Sequence, residues 1–128
     1  MNLLAGKIAD AELKVMRVLW ETEEPLPVAA IRRAICVRTG WDGSTAKTLL
    51  YRLQNKGVVV QEKRDVFYYS PLVTAEEYNE YTTQTLIDRL YKGSAKSLVT
   101  SLVSSKKLSD VDIAELQNMF RRGGGKHE

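Results

Sequence analysis

Apolar residues recur at helical spacing in three segments of the N-terminal half of the chain. The first segment begins at Asp10, which we expect to cap it, and ends before Pro25 because proline cannot continue a helix. A second helix is predicted from Pro27, and a third from about Ser44 to Lys56. The buried stripes of the three helices are expected to be Leu13, Val15, Met16, Leu19 and Trp20; Val28, Ile31 and Ile35; and Ala46, Leu49, Leu50 and Leu53.

The pattern changes to strand character directly after Gly57. The segments 58–62 and 66–69 are rich in β-branched and aromatic residues, and the charged residues 63–65 separate them. This arrangement predicts a β-hairpin. Three helices followed by a hairpin are typical of a winged helix-turn-helix, which we place at residues 8–72.

Helical patterning returns in the C-terminal half. The T-x-x-E motif at Thr74 predicts the start of a fourth helix, a fifth begins near Ser94, and a second capping motif at Ser109 begins a sixth. Three short helices enclose little volume within one subunit, so we expect residues 73–120 to form a dimerisation domain. Its apolar contact residues are expected to be Leu98, Val99, Leu102, Val103, Ile113, Leu116 and Phe120. The polar, glycine-rich tail at 121–128 is expected to be disordered.

The complete prediction is a mainly α fold with a small β-hairpin wing. No apolar run reaches the roughly 18–20 residues of a membrane span, so a soluble, cytoplasmic protein without membrane contact is expected. Cys36 is the single cysteine and His127 the single histidine, which argues against disulfides, cysteine-rich metal sites and histidine-based catalysis. We therefore expect neither an enzyme nor a cofactor or metal. Cys36 itself is predicted to be a small buried hydrophobe.

Positive charge is concentrated in one part of the chain. The formal net charge is +3, but residues 32–64 contain eight Lys and Arg against two Asp and Glu, a local balance of +6. A basic segment within a folded region is the electrostatic pattern expected for binding a polyanion. A solvated face of an ordinary helix is the alternative interpretation.

The outer face of the third helix carries residue types suited to DNA. Thr45, Thr48 and Arg52 follow one another at i, i+3 and i+7, opposite the leucines. The major groove admits one α-helix, in which Arg can bind guanine and Thr can contact phosphates or a thymine methyl group. The predicted DNA-binding residues are Ser44, Thr45, Lys47, Thr48, Tyr51, Arg52 and Lys56, with Lys63 and Arg64 on the wing.

Three segments carry a more specific resemblance. IADAELKVMRVLW, WDGSTAKTLLYRLQNKGVV and VFYYSPLVTAEEY together resemble the penicillinase repressor family, which includes the methicillin-resistance regulators and copper-responsive operon repressors. The resemblance covers about residues 8–120. It implies a homodimeric transcriptional repressor whose winged helix binds a palindromic operator in double-stranded DNA, in antibiotic-resistance or stress genes. The recognition role falls on Ser44, Thr45, Lys47, Thr48 and Arg52, and the wing role on Lys63 and Arg64.

The resemblance also bears on how repression ends. The copper-responsive branch has a C-terminal CxCxxxxCxC motif, and this chain has no cysteine after Cys36. In the β-lactam-responsive branch a protease cleaves an Asn–Phe bond in the fifth helix. The matching bond here joins Ser101 and Leu102, a departure from that pattern. Two other functions stay open at this stage: a winged-helix regulator released by a small ligand, and a winged helix that binds proteins without binding DNA.

Overall fold

The structure is a computed structural model that describes residues 1–123, and these fall into two compact units, Met1–Gln84 and a second beginning at Thr85. The described elements confirm the predicted mainly α fold with a small β wing. A short 3-10 helix, Leu3–Lys7, precedes α1 (Asp10–Trp20), β1 (Leu26–Pro27), α2 (Val28–Thr39), α3 (Gly43–Asn55), β2 (Val59–Lys63), β3 (Phe67–Pro71), α4 (Ala75–Leu90), α5 (Ala95–Ser104) and α6 (Asp110–Arg122).

The core of the first unit is formed mainly by the inner faces of α1, α2 and α3, which pack with Val58, Val59, Tyr69 and Val73 in and beside the hairpin. Each helix contributes an apolar stripe at the predicted spacing, and burying one such side chain stabilises the fold by about 1.5–3 kcal/mol. Ala9 occupies the N-cap position of α1, and Asp10, predicted as the cap, is instead the first helical residue. The largest fully buried side chains of the three helices are Val15, Met16, Leu19, Ile31, Ile35, Leu50 and Leu53.

Cys36 departs from the prediction, because its side chain is exposed. Ile31 and Ile35 are fully buried and define the inner stripe of α2. Cys36 follows Ile35 by one position, which turns its side chain about 100° around the helix axis. Adjacent Val37 is exposed as well.

The wing belongs to a three-stranded antiparallel sheet with the order β1-β3-β2. The predicted hairpin is confirmed, and its register pairs Val59 with Pro71 and Lys63 with Phe67. Strand β1 was not predicted, since two residues that include a proline show no alternation of polar and apolar positions. It adds pairs of Leu26 with Tyr69 and Pro27 with Tyr68.

The first turns of α4 pack within the first unit. The Trp20 indole N–H donates to the carbonyl of Val73 (2.7 Å), and the Trp20 and Tyr78 rings lie 5.7 Å apart, centroid to centroid. Tyr81 lies against Gly6 of the 3-10 helix. These aromatic contacts extend the first compact unit to Gln84, beyond residue 72 where the sequence predicts that the DNA-binding domain ends.

The second unit contains helices whose apolar faces are largely open. No residue of α5 or α6 is buried among the described residues. Ser109 caps α6 as predicted, and Ser94, near which the fifth helix was predicted to begin, caps α5. Helix α6 includes Arg121 and Arg122, which the sequence analysis assigned to a disordered tail; basic residues in a last turn favour the helix terminus. The rest of that predicted tail, 124–128, lies outside the described residues. Within residues 1–123, no helix has both the length and the apolar character needed to cross a membrane.

Candidate nucleic-acid interface

The outer face of α3 presents a continuous polar surface. Its buried residues, Ala46, Leu49, Leu50 and Leu53, lie on the inner face and fix which side chains point outward. Tyr51 is 64% exposed, and a shallow groove runs along Ser44, Thr45, Thr48, Leu49 and Arg52. We call the exposed set the recognition surface; it consists of Ser44, Thr45, Lys47, Thr48, Tyr51 and Arg52.

Asp42 caps α3 and holds two hydroxyls of the recognition surface. Its carboxylate accepts the Ser44 hydroxyl (2.7 Å), the Thr45 backbone N–H (3.0 Å) and the Thr45 hydroxyl (3.2 Å). These hydrogen bonds favour the ionised form, with the Ser44 hydroxyl having the largest effect, and lower the pKa of Asp42 below its usual range. The helix begins at Gly43, one position before its predicted start at Ser44.

The serine and threonine hydroxyls of the recognition surface already donate their protons within the protein. In addition to Ser44 and Thr45, the Thr48 hydroxyl donates to the Ser44 carbonyl (3.0 Å). Each oxygen retains lone pairs that can accept a hydrogen bond. The surface therefore offers acceptors suited to base amino groups, whereas a hydroxyl that binds phosphate must first exchange its present partner.

The wing carries two cations in different settings. The Lys63 ammonium lies 5.3 Å from the centroid of the Phe67 ring. Arg64 lies 4.7 Å from the Tyr68 ring and donates two hydrogen bonds to Glu62, both 3.1 Å. The hydrogen bonds to Glu62 raise the pKa of the Arg64 side chain. Among the described residues, Lys63 has no carboxylate within ion-pair distance, so its charge is the less compensated of the two.

Lys56 is directed away from the recognition surface and toward α1. Its ammonium donates to both carboxylate oxygens of Glu12 (2.7 and 2.9 Å) and to the carbonyl of Lys7 (2.9 Å). An ammonium group has three N–H donors, and all three are thereby engaged. Glu12 is 2% exposed and also accepts the Ala9 backbone N–H (2.9 Å). The geometry thus gives Lys56, which the sequence predicts to bind DNA, a partner within the protein.

Two arginines of α2 extend the basic region. Arg38 forms an ion pair with Glu21, and this hydrogen bond lowers the pKa of Glu21. The Arg32 guanidinium lies against the backbone of Gly43, at the start of α3. Arg32 lies within the basic segment 32–64 but is not among the predicted DNA-binding residues. The sequence signal that could have identified it is a glycine at the first position of a helix, where a side chain would occupy the space of the guanidinium.

The apolar residues predicted for dimerisation lie on α5 and α6. Within one chain, Leu98, Leu102, Ile113 and Leu116 are half-buried. Val99, Val103 and Phe120 are exposed, Phe120 to 72%. Both residues of the predicted cleavage bond lie inside α5, where the Ser101 hydroxyl accepts a hydrogen bond from Tyr91 (3.2 Å). Across residues 1–123, His, Cys, Asp and Glu form no group of three that could hold a metal ion.

The sequence of the chain is similar to those of known repressors. The chain is 31% identical over 115 residues to a penicillinase repressor of Bacillus licheniformis, covering 89% of each chain. It is likewise 31% identical over 117 residues to the methicillin resistance regulatory protein MecI of Staphylococcus aureus, covering 91% of this chain and 94% of that one.

Solved structures resemble the DNA-binding part of the chain. The DNA-binding domain of the repressor BlaI has a TM-score of 0.53 at 30% identity, covering 61% of this chain and 94% of that domain. The Bacillus licheniformis BlaI monomer in complex with the blaP half-operator has a TM-score of 0.50 at 32% identity, covering 56% and 87%. The pattern of the penicillinase repressor family matches residues 8–122, and the chain belongs to that family.

Proposed function

We propose that this chain is a homodimeric repressor that occupies a palindromic operator and blocks transcription from it. Its similarity to the penicillinase repressor and to MecI identifies it as a DNA-binding transcriptional repressor, and the similar BlaI monomer was solved in complex with a half-operator. The observation that carries the proposal is the recognition surface, where exposed hydroxyls and Arg52 stand opposite a buried leucine stripe. Such a helix fits the major groove of DNA. Function through binding requires no catalytic step, and we assign the repressor to the cytoplasm, because the DNA of its bacterial relatives lies there.

The side chains of the recognition surface and the wing fall into two groups, those suited to contact bases and those suited to contact phosphates. Arg52 is assigned to a guanine, because the guanidinium can donate to O6 and N7 together. Thr45 and Thr48 retain acceptor lone pairs for base amino groups, and the exposed ring of Tyr51 offers apolar area to a thymine methyl group. Lys47 and Lys63 are assigned to phosphates. Such contacts fix the register of the protein on the duplex but do not distinguish one base sequence from another.

Lys56 is assigned a structural role. Its three ammonium donors bind Glu12 and the Lys7 carbonyl, and a phosphate contact would leave the buried Glu12 carboxylate uncompensated. Losing the partner of a buried charge is costly. Arg64, bound to Glu62, contributes less attraction for DNA than Lys63 does.

Dimerisation is supported by the open faces of α5 and α6. Val99, Val103 and Phe120 are exposed in a single chain, and a second copy would cover them across a two-fold axis. Two DNA-binding units linked in this way meet half-sites separated by about 34–36 Å or a small multiple of it. The linkage raises affinity through effective concentration.

Induction by proteolysis in α5 is a second part of the proposal. A protease needs extended backbone, so α5 must open before the Ser101–Leu102 bond can be cut. Helices with few buried contacts open at low free-energy cost, and α5 buries no residue within the described part of one chain, so mainly the proposed dimer contacts oppose its opening. Cleavage would separate α6 from the DNA-binding unit and so weaken operator binding. Intact mass of the repressor from induced and uninduced cells tests this step, and an unchanged mass at full target expression would exclude it.

The main test uses the whole chain and random duplex DNA. Repeated selection should recover sequences with two inverted half-sites, and sedimentation should show two chains per duplex. Because binding releases counterions, the logarithm of affinity should fall by about 0.9 per phosphate contact for each unit of log salt. If the selection recovers no common sequence and the affinity does not change with salt concentration, DNA recognition is refuted. That result would favour the alternative of a winged helix that binds proteins without binding DNA.

A further inference from the structure

We propose that Arg32 of α2 is an additional operator contact that binds a backbone phosphate next to the first residue of the recognition surface, Ser44. This proposal rests on the function proposed above and adds a contact from a second helix.

The Arg32 side chain crosses from α2 to the start of α3. A Cβ atom built on Gly43 would overlap Nε, Cζ and Nη2 of Arg32, so the guanidinium occupies the space that a side chain at position 43 would fill. Gly43 immediately precedes Ser44, which lines the groove along α3. The guanidinium therefore lies beside one end of the recognition surface while its α-carbon belongs to α2.

Arg32 is one of the cations of this region that have no acidic partner among the described residues. Within residues 1–123, Arg38 pairs with Glu21, Arg64 with Glu62 and Lys56 with Glu12, whereas Arg32 is exposed and forms no ion pair. The carboxylate nearest in sequence to Gly43, that of Asp42, is bound to Ser44 and Thr45. The donors of Arg32 are thus available to an external anion.

A glycine at position 43 is explained by this contact. Glycine is among the weakest helix formers, and Gly43 does not adopt the positive φ that would require it. The physical effect of its missing side chain is the close approach of Arg32. A planar guanidinium can bind a phosphate through two parallel hydrogen bonds, and such contacts fix the register of a helix on the duplex.

The experiment compares five proteins that contain the whole chain: the parent, Arg32→Gln, Gly43→Ala, the double variant and a control, Arg33→Gln. Each is titrated at several salt concentrations with the duplex selected by the parent and with an unrelated duplex of equal length. Arg32→Gln should lower the affinity for both duplexes by similar factors. It should also make the slope of log affinity against log salt concentration shallower by about 0.9 per protomer. Gly43→Ala retains the charge but displaces the guanidinium, so it should also weaken binding and make the slope shallower.

The double variant separates this contact from a general loss of charge or fold. Gly43→Ala should have no further effect once Arg32 is Gln, because its effect acts through Arg32. Arg33→Gln, which removes the neighbouring exposed arginine of α2, serves as the matched control and should retain the parental slope. Thermal unfolding of each variant identifies any loss of affinity caused by loss of structure.

Three outcomes would overturn the assignment. These are a parental slope for Arg32→Gln, an equal loss for Arg33→Gln, and an undiminished effect of Gly43→Ala in the Arg32→Gln background. Failure of the parent itself to bind duplex DNA in a salt-dependent way would instead refute the proposed function. The two failures are therefore distinguishable within one set of titrations.

Discussion

Replacing Lys56 with Met should destabilise the DNA-binding unit strongly. The change removes three hydrogen bonds from the ammonium and leaves the Glu12 carboxylate, which is 2% exposed, with only the Ala9 N–H among its described partners. Breaking a buried ion pair by removing one partner costs about 3–5 kcal/mol. The Lys56 side chain is 34% exposed, and solvent screening reduces the expected loss to about 2–3 kcal/mol.

The assay is urea unfolding at pH 7, with Arg38→Met as the matched control. Arg38→Met breaks an ion pair whose two side chains are both well exposed, so it should cost much less stability than Lys56→Met does. Adding Glu12→Gln to Lys56→Met should recover part of the stability, because the neutral amide no longer leaves a buried charge. Equal losses for Lys56→Met and Arg38→Met would refute the reasoning. Unchanged stability with weakened DNA binding would restore Lys56 to the interface.

Three further predictions concern the recognition surface and the second unit. Arg52→Ala should cost about 1–3 kcal/mol on the selected operator and relax preference at one base pair, measured by competition with single-base variants; equal affinity for all of them would remove Arg52 from base contact. The pKa of Asp42 is lowered in the folded protein, so its ionised carboxylate stabilises α3 at pH values above 3.8, the ordinary pKa of an aspartate. This stabilisation is lost as the pH falls through the pKa of the folded state. The difference in melting temperature between the parent and Asp42→Ala should therefore narrow below that pH, and a constant difference would contradict it. Leu102→Glu should yield monomers by sedimentation and lower operator affinity by roughly 10²–10⁴-fold, while a stable dimer would place the interface elsewhere.

The elements that could be predicted from the sequence are those whose own residues show a periodic apolar pattern or a capping motif. The stripe of Ala46, Leu49, Leu50 and Leu53 determined both the helical character of α3 and which of its faces is exposed. The capping motif at Ser109 likewise predicted the start of α6. Strand β1 has two residues and no such signal, because its pairing with Tyr69 and Tyr68 depends on a strand distant in sequence.

The candidate site was less predictable because the partner of each charged side chain can lie far along the chain. Lys56 and Glu12 are separated by 44 positions, and no spacing rule connects them. The contact of Arg32 with Gly43 likewise depends on how α2 packs against α3. Residue type and helical face thus identified the recognition surface, whereas tertiary packing determined which cations have internal partners.

The pairing of β1 with the wing has a consequence for the thermodynamics of DNA binding. A wing that became ordered only on contact would lose about 1–2 kcal/mol of backbone entropy for every residue fixed. Here the hairpin is already bonded to the segment that leads into α2, so most of that ordering accompanies folding. Binding should then resemble docking of a rigid body, with a heat-capacity change that reflects the contact area alone. Calorimetry over a range of temperatures would measure this directly.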